Sequence, residues 1–372
     1  MAKNSNQITV KRSETKTSRA KLSDHPIIVI GASAGGFDVI KTIIRNLPAN
    51  FQPPIFIVWH TGAEIQGVMP GVLSKLNNIP AAYAEDNEEI RLNRIYIAPP
   101  DYHLLLQNDS IRLTHGPKEN HFRPAIDPLF RSAAYNFGNR VIGVILSGAL
   151  DDGTVGLWRI KNSGGIAVVQ SPGDAEVPSM PQSVIREVAV DYCAPAADIA
   201  GILARVSKSR NENQNPIIRD KRTETELLSA AGDKNAARES FAMGELSPLT
   251  CPECNGVLAK ITEGGFSRYR CHTGHAFSAD TLLATLHERV ENDLFTALAG
   301  IDESIFLLNH IGDHLAEINK SQMAALYFLK AKETEAHADA LRITVKNYEQ
   351  LSNAKLQFDI KNLKDVKNET KC

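Results

Sequence analysis

The 372-residue chain lacks any apolar run of the roughly 18–20 residues that a membrane span requires, so no membrane insertion is expected. It also lacks a charge excess. Lys and Arg number 41 against 43 Asp and Glu, a net charge of -2, which argues against a nucleic-acid partner and its basic footprint. The first 24 residues carry Lys3, Lys11, Arg12, Lys16, Arg19 and Lys21 but no apolar core, which excludes a secretory signal. A cytoplasmic setting is expected, where thiols stay reduced. Cysteines number only five, too few for a disulfide scaffold in that setting. What is present, 43% hydrophobic and 23% charged residues, fits a soluble globular protein, and the length suggests two or three domains.

Residues 1–24 are polar and aperiodic and read as a disordered tail. Over residues 25–205 short apolar runs alternate with helical patterns. The runs lie at 27–30, 55–59, 95–97, 141–146 and 166–169, and the helices around 37–46, 126–137, 154–162 and 181–187. Continuous β-branched runs suit strands covered on both faces. The rhythm predicts an α/β fold with a doubly wound, mainly parallel sheet, the alternative being an α+β domain with mixed strands. Residues 206–247 turn polar, beginning with Ser207-Lys208-Ser209-Arg210, and read as a linker. A cysteine cluster occupies 248–278. Over 279–355, Leu283, Leu286, Val290, Leu294, Leu298 and Ile301 recur mostly at helical steps, predicting a helical hairpin or coiled coil able to self-associate, or a plain bundle. Residues 356–372 read as a frayed tail.

Gly31-Ala32-Ser33-Ala34-Gly35-Gly36 follows one strand run and opens a helix. A dinucleotide site would need G-x-G-x-x-G and an acidic residue after the second strand; Ser33 replaces the second glycine, and Trp59 and His60 stand at that strand end. A nucleophile elbow, Gly31-x-Ser33-x-Gly35, fits better, because small neighbours permit a tight turn and the helix N-terminus offers N–H groups to developing negative charge. A capped βα turn without chemistry fits the same residues. A serine nucleophile needs a base and a group that orients it. His60 ends the second run, and Asp151-Asp152-Gly153 follows the fourth. Parallel strands would bring Ser33, His60 and an aspartate to one sheet edge, where open α/β sheets gather their chemistry. His103, His115 and His121 read as surface or structural residues.

Residues 25–205 resemble the catalytic domain of the CheB chemotaxis methylesterases. The resemblance runs in order through Ile30-Gly31-Ala32-Ser33-Ala34-Gly35-Gly36, Val58-Trp59-His60, Ile95-Tyr96-Ile97-Ala98-Pro99-Pro100-Asp101-Tyr102-His103-Leu104, Arg123-Pro124-Ala125-Ile126-Asp127-Pro128-Leu129-Phe130, Leu146-Ser147-Gly148-Ala149-Leu150-Asp151-Asp152-Gly153 and Ser179-Met180-Pro181. It implies that Ser33 is the nucleophile, His60 the base and Asp152, which directly precedes a glycine, the orienting acid. It further implies an oxyanion contact from the backbone of Ala149. The implied reaction is hydrolysis of glutamate methyl esters on a chemoreceptor, with deamidation of glutamine by the same route and no catalytic cofactor. Arg123 would steer an acidic substrate helix or serve as a surface charge. Two departures stand out. Ala34 replaces the hydroxyl residue usual beside the nucleophile, and only about 24 residues precede the domain, so a receiver domain would act in trans or the C-terminal helices would regulate. An inactive esterase fold that serves as a scaffold is the competing reading.

Cys251-Pro252-Glu253-Cys254 is followed by Cys271 and His275. A C-x-x-C loop can bring two sulfurs to one ion, and a second knuckle closes the site, so a structural zinc with ligands Cys251, Cys254, Cys271 and His275 is expected. His272, adjacent to Cys271, is the less suitable imidazole. A redox C-x-x-C is the rival and explains neither Cys271 nor the histidine. The resemblance extends here more loosely, to receiver-less CheB-like chains with such a segment and long helices. Cys193 lies in an apolar stretch and is expected in the core, and Cys372 is incidental.

Overall fold

The computed structural model describes residues 22–60, 67–208 and 219–348. Chain termini 1–21 and 349–372, and with them Cys372, lie outside the described residues. The apolar runs form β1 (Ile27–Ala32), β2 (Ile55–Trp59), β3 (Ala81–Tyr83), β4 (Ile95–Ile97), the antiparallel hairpin β5 (His103–Gln107) and β6 (Ser110–Thr114), and then β7 (Val141–Ile145), β8 (Ile166–Gln170) and β9 (Tyr192–Ala194). Seven strands make one parallel sheet in the order β3-β4-β2-β1-β7-β8-β9. Side-chain alternation sends Ile27 and Val29 toward α3 (Ile126–Phe137), α4 (Thr154–Asn162) and α5 (Ser179–Glu187). Ile28 and Ile30 go the other way, toward α1 (Gly36–Asn46), α2 (Val68–Leu76) and α6 (Ala196–Val206). Each such fully buried aliphatic side chain contributes about 1.5–3 kcal/mol, and this two-sided cover makes the fold doubly wound.

The sheet order reverses at β1, which has β2 on one side and β7 on the other. Ligand crevices of open α/β sheets form at such a switch point, outside the carboxyl ends of the strands. Two edge strands, β3 and β9, add to the five runs legible in the sequence; at three residues each they are too short to stand out. β9 also corrects the expectation for Cys193. Tyr192 and Ala194 face the core, so alternation turns Cys193 outward on the last strand, and it is exposed.

The stretch expected as a linker is only partly irregular. Residues 209–218 lie outside the described residues, but α7 (Lys221–Ala230) and α8 (Lys234–Ala242) follow, capped by Asp220 and Asp233, which accept from the Thr223 and Ala236 amides. The polar composition concealed them because the buried face of α7 is itself polar: Thr223, Thr225, Glu226 and Ser229. A four-stranded antiparallel sheet comes next, β10 (Glu245–Thr250), β11 (Val257–Glu263), β12 (Phe266–Cys271) and β13 (Ala276–Ser278). The long helices α9 (Ala279–Glu317) and α10 (Ser321–Asn347) then fold into the expected hairpin, with Asp302 paired to Arg342 across it. α9 carries an 18-residue window of mean hydropathy 1.2, long and apolar enough by composition for a span, and Phe306, Leu307, Leu326 and Leu329 are exposed on the hairpin.

What joins this half to the parallel-sheet half is a buried ion cluster. Glu119 takes Arg131 at 2.8 Å, Arg270 at 3.3 Å and Arg268 at 3.7 Å; Glu226 takes Arg268 at 2.8 Å and Arg131 at 3.4 Å. All five residues are at most 4% exposed. Removing one partner from such a cluster leaves uncompensated buried charge and costs about 3–5 kcal/mol. The variant Glu226→Ala is therefore expected to lose stability on that scale in urea denaturation; a loss within the error of the measurement would mean that the cluster does not hold the two halves together.

Candidate active site and Cys/His cluster

Ser33 follows β1 at the switch point. Gly35 caps α1 in the left-handed region at φ 72°, a conformation that favours glycine. Gly148 lies so close that a Cβ there would meet the Ser33 Cβ at 2.7 Å. The serine is 8% exposed, its amide donates to Ser147 O at 3.0 Å, and its carbonyl accepts from Trp59 Nε1 at 3.0 Å. The pairing of Ala32 with Trp59 puts His60 beside Ser33, and the His60 amide donates to Ala32 O. Trp59 stacks on Phe37, and both line an apolar cavity of about 220 Å3 with Met69, Tyr83 and Ile97.

Across the switch point, His60 Nε2 lies 2.9 Å from Asp152 Oδ2. The carboxylate fixes Nε2 as the protonated nitrogen and leaves Nδ1 as the basic one. That Nδ1 is buried and has no hydrogen-bond partner among the described residues. Phe122 stacks on the imidazole at 3.7 Å between ring centroids and holds its plane. Asp152 sits at the N-terminus of α3, accepting from the Ile126 amide at 2.6 Å and the Asp127 amide at 3.3 Å, and also from Gly153 N and Asn120 Nδ2. Burial alone would raise its pKa, but the bond and charge of His60 together with these donors hold its carboxyl below the usual range.

The structure thus brings His60 and Asp152 into contact and places Ser33 and Ala149 at the same edge. Ala149 is exposed after β7, and its amide donates to no described residue. Arg123 is engaged elsewhere: its guanidinium donates to Asp101 and to Gly116 O. His103 is fully buried, its Nε2–H on Pro117 O and its Nδ1 accepting from Ala125 N, a neutral structural residue with its pKa lowered by burial. His115 pairs with Asp101 at the surface, and His121 with Glu253. The sequence reading missed Asn120 and Phe122 as members of this site, because neither sits at a strand end; both lie on the 117–123 connection into α3.

The four Cys/His donors also converge. The liganding atoms of Cys251, Cys254, Cys271 and His275 all lie within 4.8 Å of one another. Cys254 and Cys271 sulfurs are 3.7 Å apart, against about 3.8 Å between two corners of a tetrahedron with metal–sulfur bonds of about 2.3 Å. His275 Nδ1 approaches Cys271 at 3.6 Å and Cys251 at 3.8 Å, whereas His272 turns away to an edge contact with Phe241. Three soft sulfurs and an imidazole in this arrangement could hold a tetrahedral metal ion.

Residues 28–203 match the family model of the CheB methylesterases. A relative from Leptospira interrogans with a provisional protein-glutamate methylesterase/protein-glutamine glutaminase name is 43% identical over 192 residues, which are 51% of this chain and 100% of that protein. The protein-glutamate methylesterase/protein-glutamine glutaminase of Thermotoga maritima is 38% identical over 46% of this chain and 52% of its own length. The crystal structure of the Thermotoga maritima CheB methylesterase catalytic domain aligns at 36% identity over 49% of this chain and 98% of that domain, with a TM-score of 0.47.

The buried carboxyl groups give this region a defined pH response. Asp152 and Glu226 fall on folding, Glu226 to about 2, where burial is outweighed by Arg268 and Arg131. Stability from such groups is present above their unfolded pKa and lost as pH falls through the folded one. Asp127 rises to about 7, through burial and then the Asp152 charge, and Asp151 to about 6, chiefly through burial. Stability from raised groups is present below the unfolded pKa and lost as pH rises through 6 to 7. Thermal denaturation from pH 3 to 9 is expected to give a maximum near about pH 4; a melting temperature that kept climbing to pH 8 would contradict these shifts.

Proposed function

Because the chain belongs to the CheB methylesterase family, we propose that residues 25–205 act as a cytoplasmic protein-glutamate methylesterase with Ser33 as nucleophile, His60 as base and Asp152 as its orienting acid. The observation that carries this reading is the contact of His60 Nε2 with Asp152, which leaves a buried Nδ1 with no hydrogen-bond partner among the described residues. His60 Nδ1 takes the Ser33 proton as Oγ attacks the ester carbonyl. The oxyanion is met by backbone N–H groups, that of Ala149 among them. Methanol leaves with the proton carried by His60, and water then releases the glutamate by the reverse transfer. A glutamine side-chain amide would follow the same route and release ammonia. The substrate we propose is a methylated chemoreceptor or a chemoreceptor-like protein. Arg123, bound to Asp101 and Gly116, would act on the substrate only by shaping the loop that meets it. A receiver domain in trans and self-association through α9 and α10 are proposed further partners; the exposed Phe306, Leu307 and Leu326 support a helical contact.

For the Cys/His cluster we propose zinc, held by Cys251, Cys254, Cys271 and His275. Four protein donors leave no open position, so the ion would be structural, folding the knuckles between β10 and β11 and between β12 and β13. Its module has a small core of its own, five buried residues that include two of the cysteines.

Ser33→Ala is expected to lower methanol release from methylated receptor by at least about 10³-fold and to abolish fluorophosphonate labelling, with the melting temperature preserved. Wild-type turnover in that variant would sink the nucleophile assignment. Metal analysis by mass spectrometry is expected to find about one zinc per chain after a chelator wash; zinc well below one equivalent would count against a structural site.

A further inference from the structure

The active-site residues touch more than their own domain. Asn120 is 4% exposed, and every polar group of its side chain is committed. Nδ2 donates to Asp152 Oδ1 at 2.8 Å and to Asp127 Oδ2 at 3.0 Å. Oδ1 accepts from the amide of Ser278, the N-cap of α9, at 2.9 Å. Its own amide donates to Ala276 O at 2.7 Å. The amide orientation is fixed by this pattern, since the flipped group would turn its oxygen toward two carboxylates. The neighbouring aspartate is held from the same place: Ser278 Oγ and Thr281 Oγ1 donate to Asp151 Oδ1 at 2.7 and 2.8 Å.

We infer that Asn120 is a positioning residue for the catalytic aspartate, and that through it the Cys/His module and the start of α9 set the geometry of the active site. The inference rests on the esterase reading. Residues 117–123 run between the two halves. On one side Asn120 meets Asp152 and Phe122 stacks on His60. On the other Glu119 pairs with Arg268 and Arg270, and His121 pairs with Glu253 in the C-x-x-C loop. The module therefore reaches Asp152 through one intervening side chain, Asn120, and His60 through two rings, His121 and the Phe122 that it meets edge-on. A displacement of Ser278 would be transmitted to the carboxylate that orients the base. Misplacing a catalytic group by about 1 Å costs roughly 100-fold in rate. A metal-folded module in this position is part of the scaffold of the site, not a separate appendage.

The test uses the full chain and reads kcat and KM for a small ester, the rate of fluorophosphonate labelling, and the melting temperature. Asn120 has φ 50°, so Asn120→Gly removes the side chain while keeping a backbone conformation that glycine adopts freely. It is expected to lower kcat and labelling by roughly tenfold to 100-fold with KM within about twofold. The double variant S278A/T281A leaves Asn120 in place and loosens the grip of α9 on Asp151; it is expected to lower kcat in the same sense by a smaller factor, and it carries the test should the glycine variant not fold. A folded Asn120→Gly protein with wild-type kcat would overturn the inference, as would a rise in KM at unchanged kcat, which would make Asn120 a substrate contact. A wild-type chain that neither turned over nor labelled would overturn the esterase reading and this inference together, a result distinct from an active wild type with an indifferent variant.

Discussion

Three guanidinium groups and two carboxylates share one buried volume between the two halves of the chain, and the position of the loop beside the active site depends on them. Arg131 comes from α3, Glu226 from α7, Arg268 and Arg270 from β12, and Glu119 from the connection into α3. Taking such groups out of water costs several kcal/mol per ion, so the arrangement holds only if each charge meets its counter-charges. Burial pushes Glu119 up, but Arg131, Arg270 and Arg268 outweigh it and keep it ionised. The geometry that brings these charges together also fixes the residue next to Glu119. That residue is Asn120, and it holds Asp152.

The chemistry of the site follows from where charge is tolerated. Asp152 and Asp127 are both buried within reach of one amide. Their environments separate them: Asp152 collects His60 and backbone donors, whereas Asp127 is raised to about 7 by burial and by the Asp152 charge. One carboxylate stays charged beside an imidazole and the other takes up the electrostatic cost. The parallel sheet contributes the rest, since β1, β2 and β7 are adjacent and end at the same edge. Ser33, His60 and Asp152 follow different strands at that edge because register and direction are shared, and there His60 and Asp152 are in contact.

Much of the catalytic half was legible in the sequence for a simple reason. A strand covered on both faces must be apolar throughout, so residues 27–30, 55–58 and 141–146 announce themselves, and the polar or glycine-rich residues just beyond each run mark the sheet edge. The Cys/His donors were legible for a similar reason, since two knuckles need fixed short spacings. The segment 221–242 was not, because the periodicity that reveals a helix is apolar, and α7 buries threonine, serine and glutamate against arginine. Cys193 was misread because alternation on an edge strand depends on which face the sheet leaves open.

By itself the sequence determined the sheet-forming runs, the serine turn, the histidine and aspartate at strand ends and the spacing of the four metal-type donors. Each of these is a short stretch of chain whose pattern is set by residues within a few positions of one another. Only the tertiary structure decided that Asn120 would bridge two carboxylates, that Phe122 would stack on His60 and that the start of α9 would reach the catalytic loop. Those contacts join residues far apart in the chain, Glu119 to Arg270 across 151 positions and Asn120 to Ser278 across 158. No local pattern encodes such pairs; they exist because buried charges and amides must find partners, and folding supplies those partners from opposite ends of the molecule.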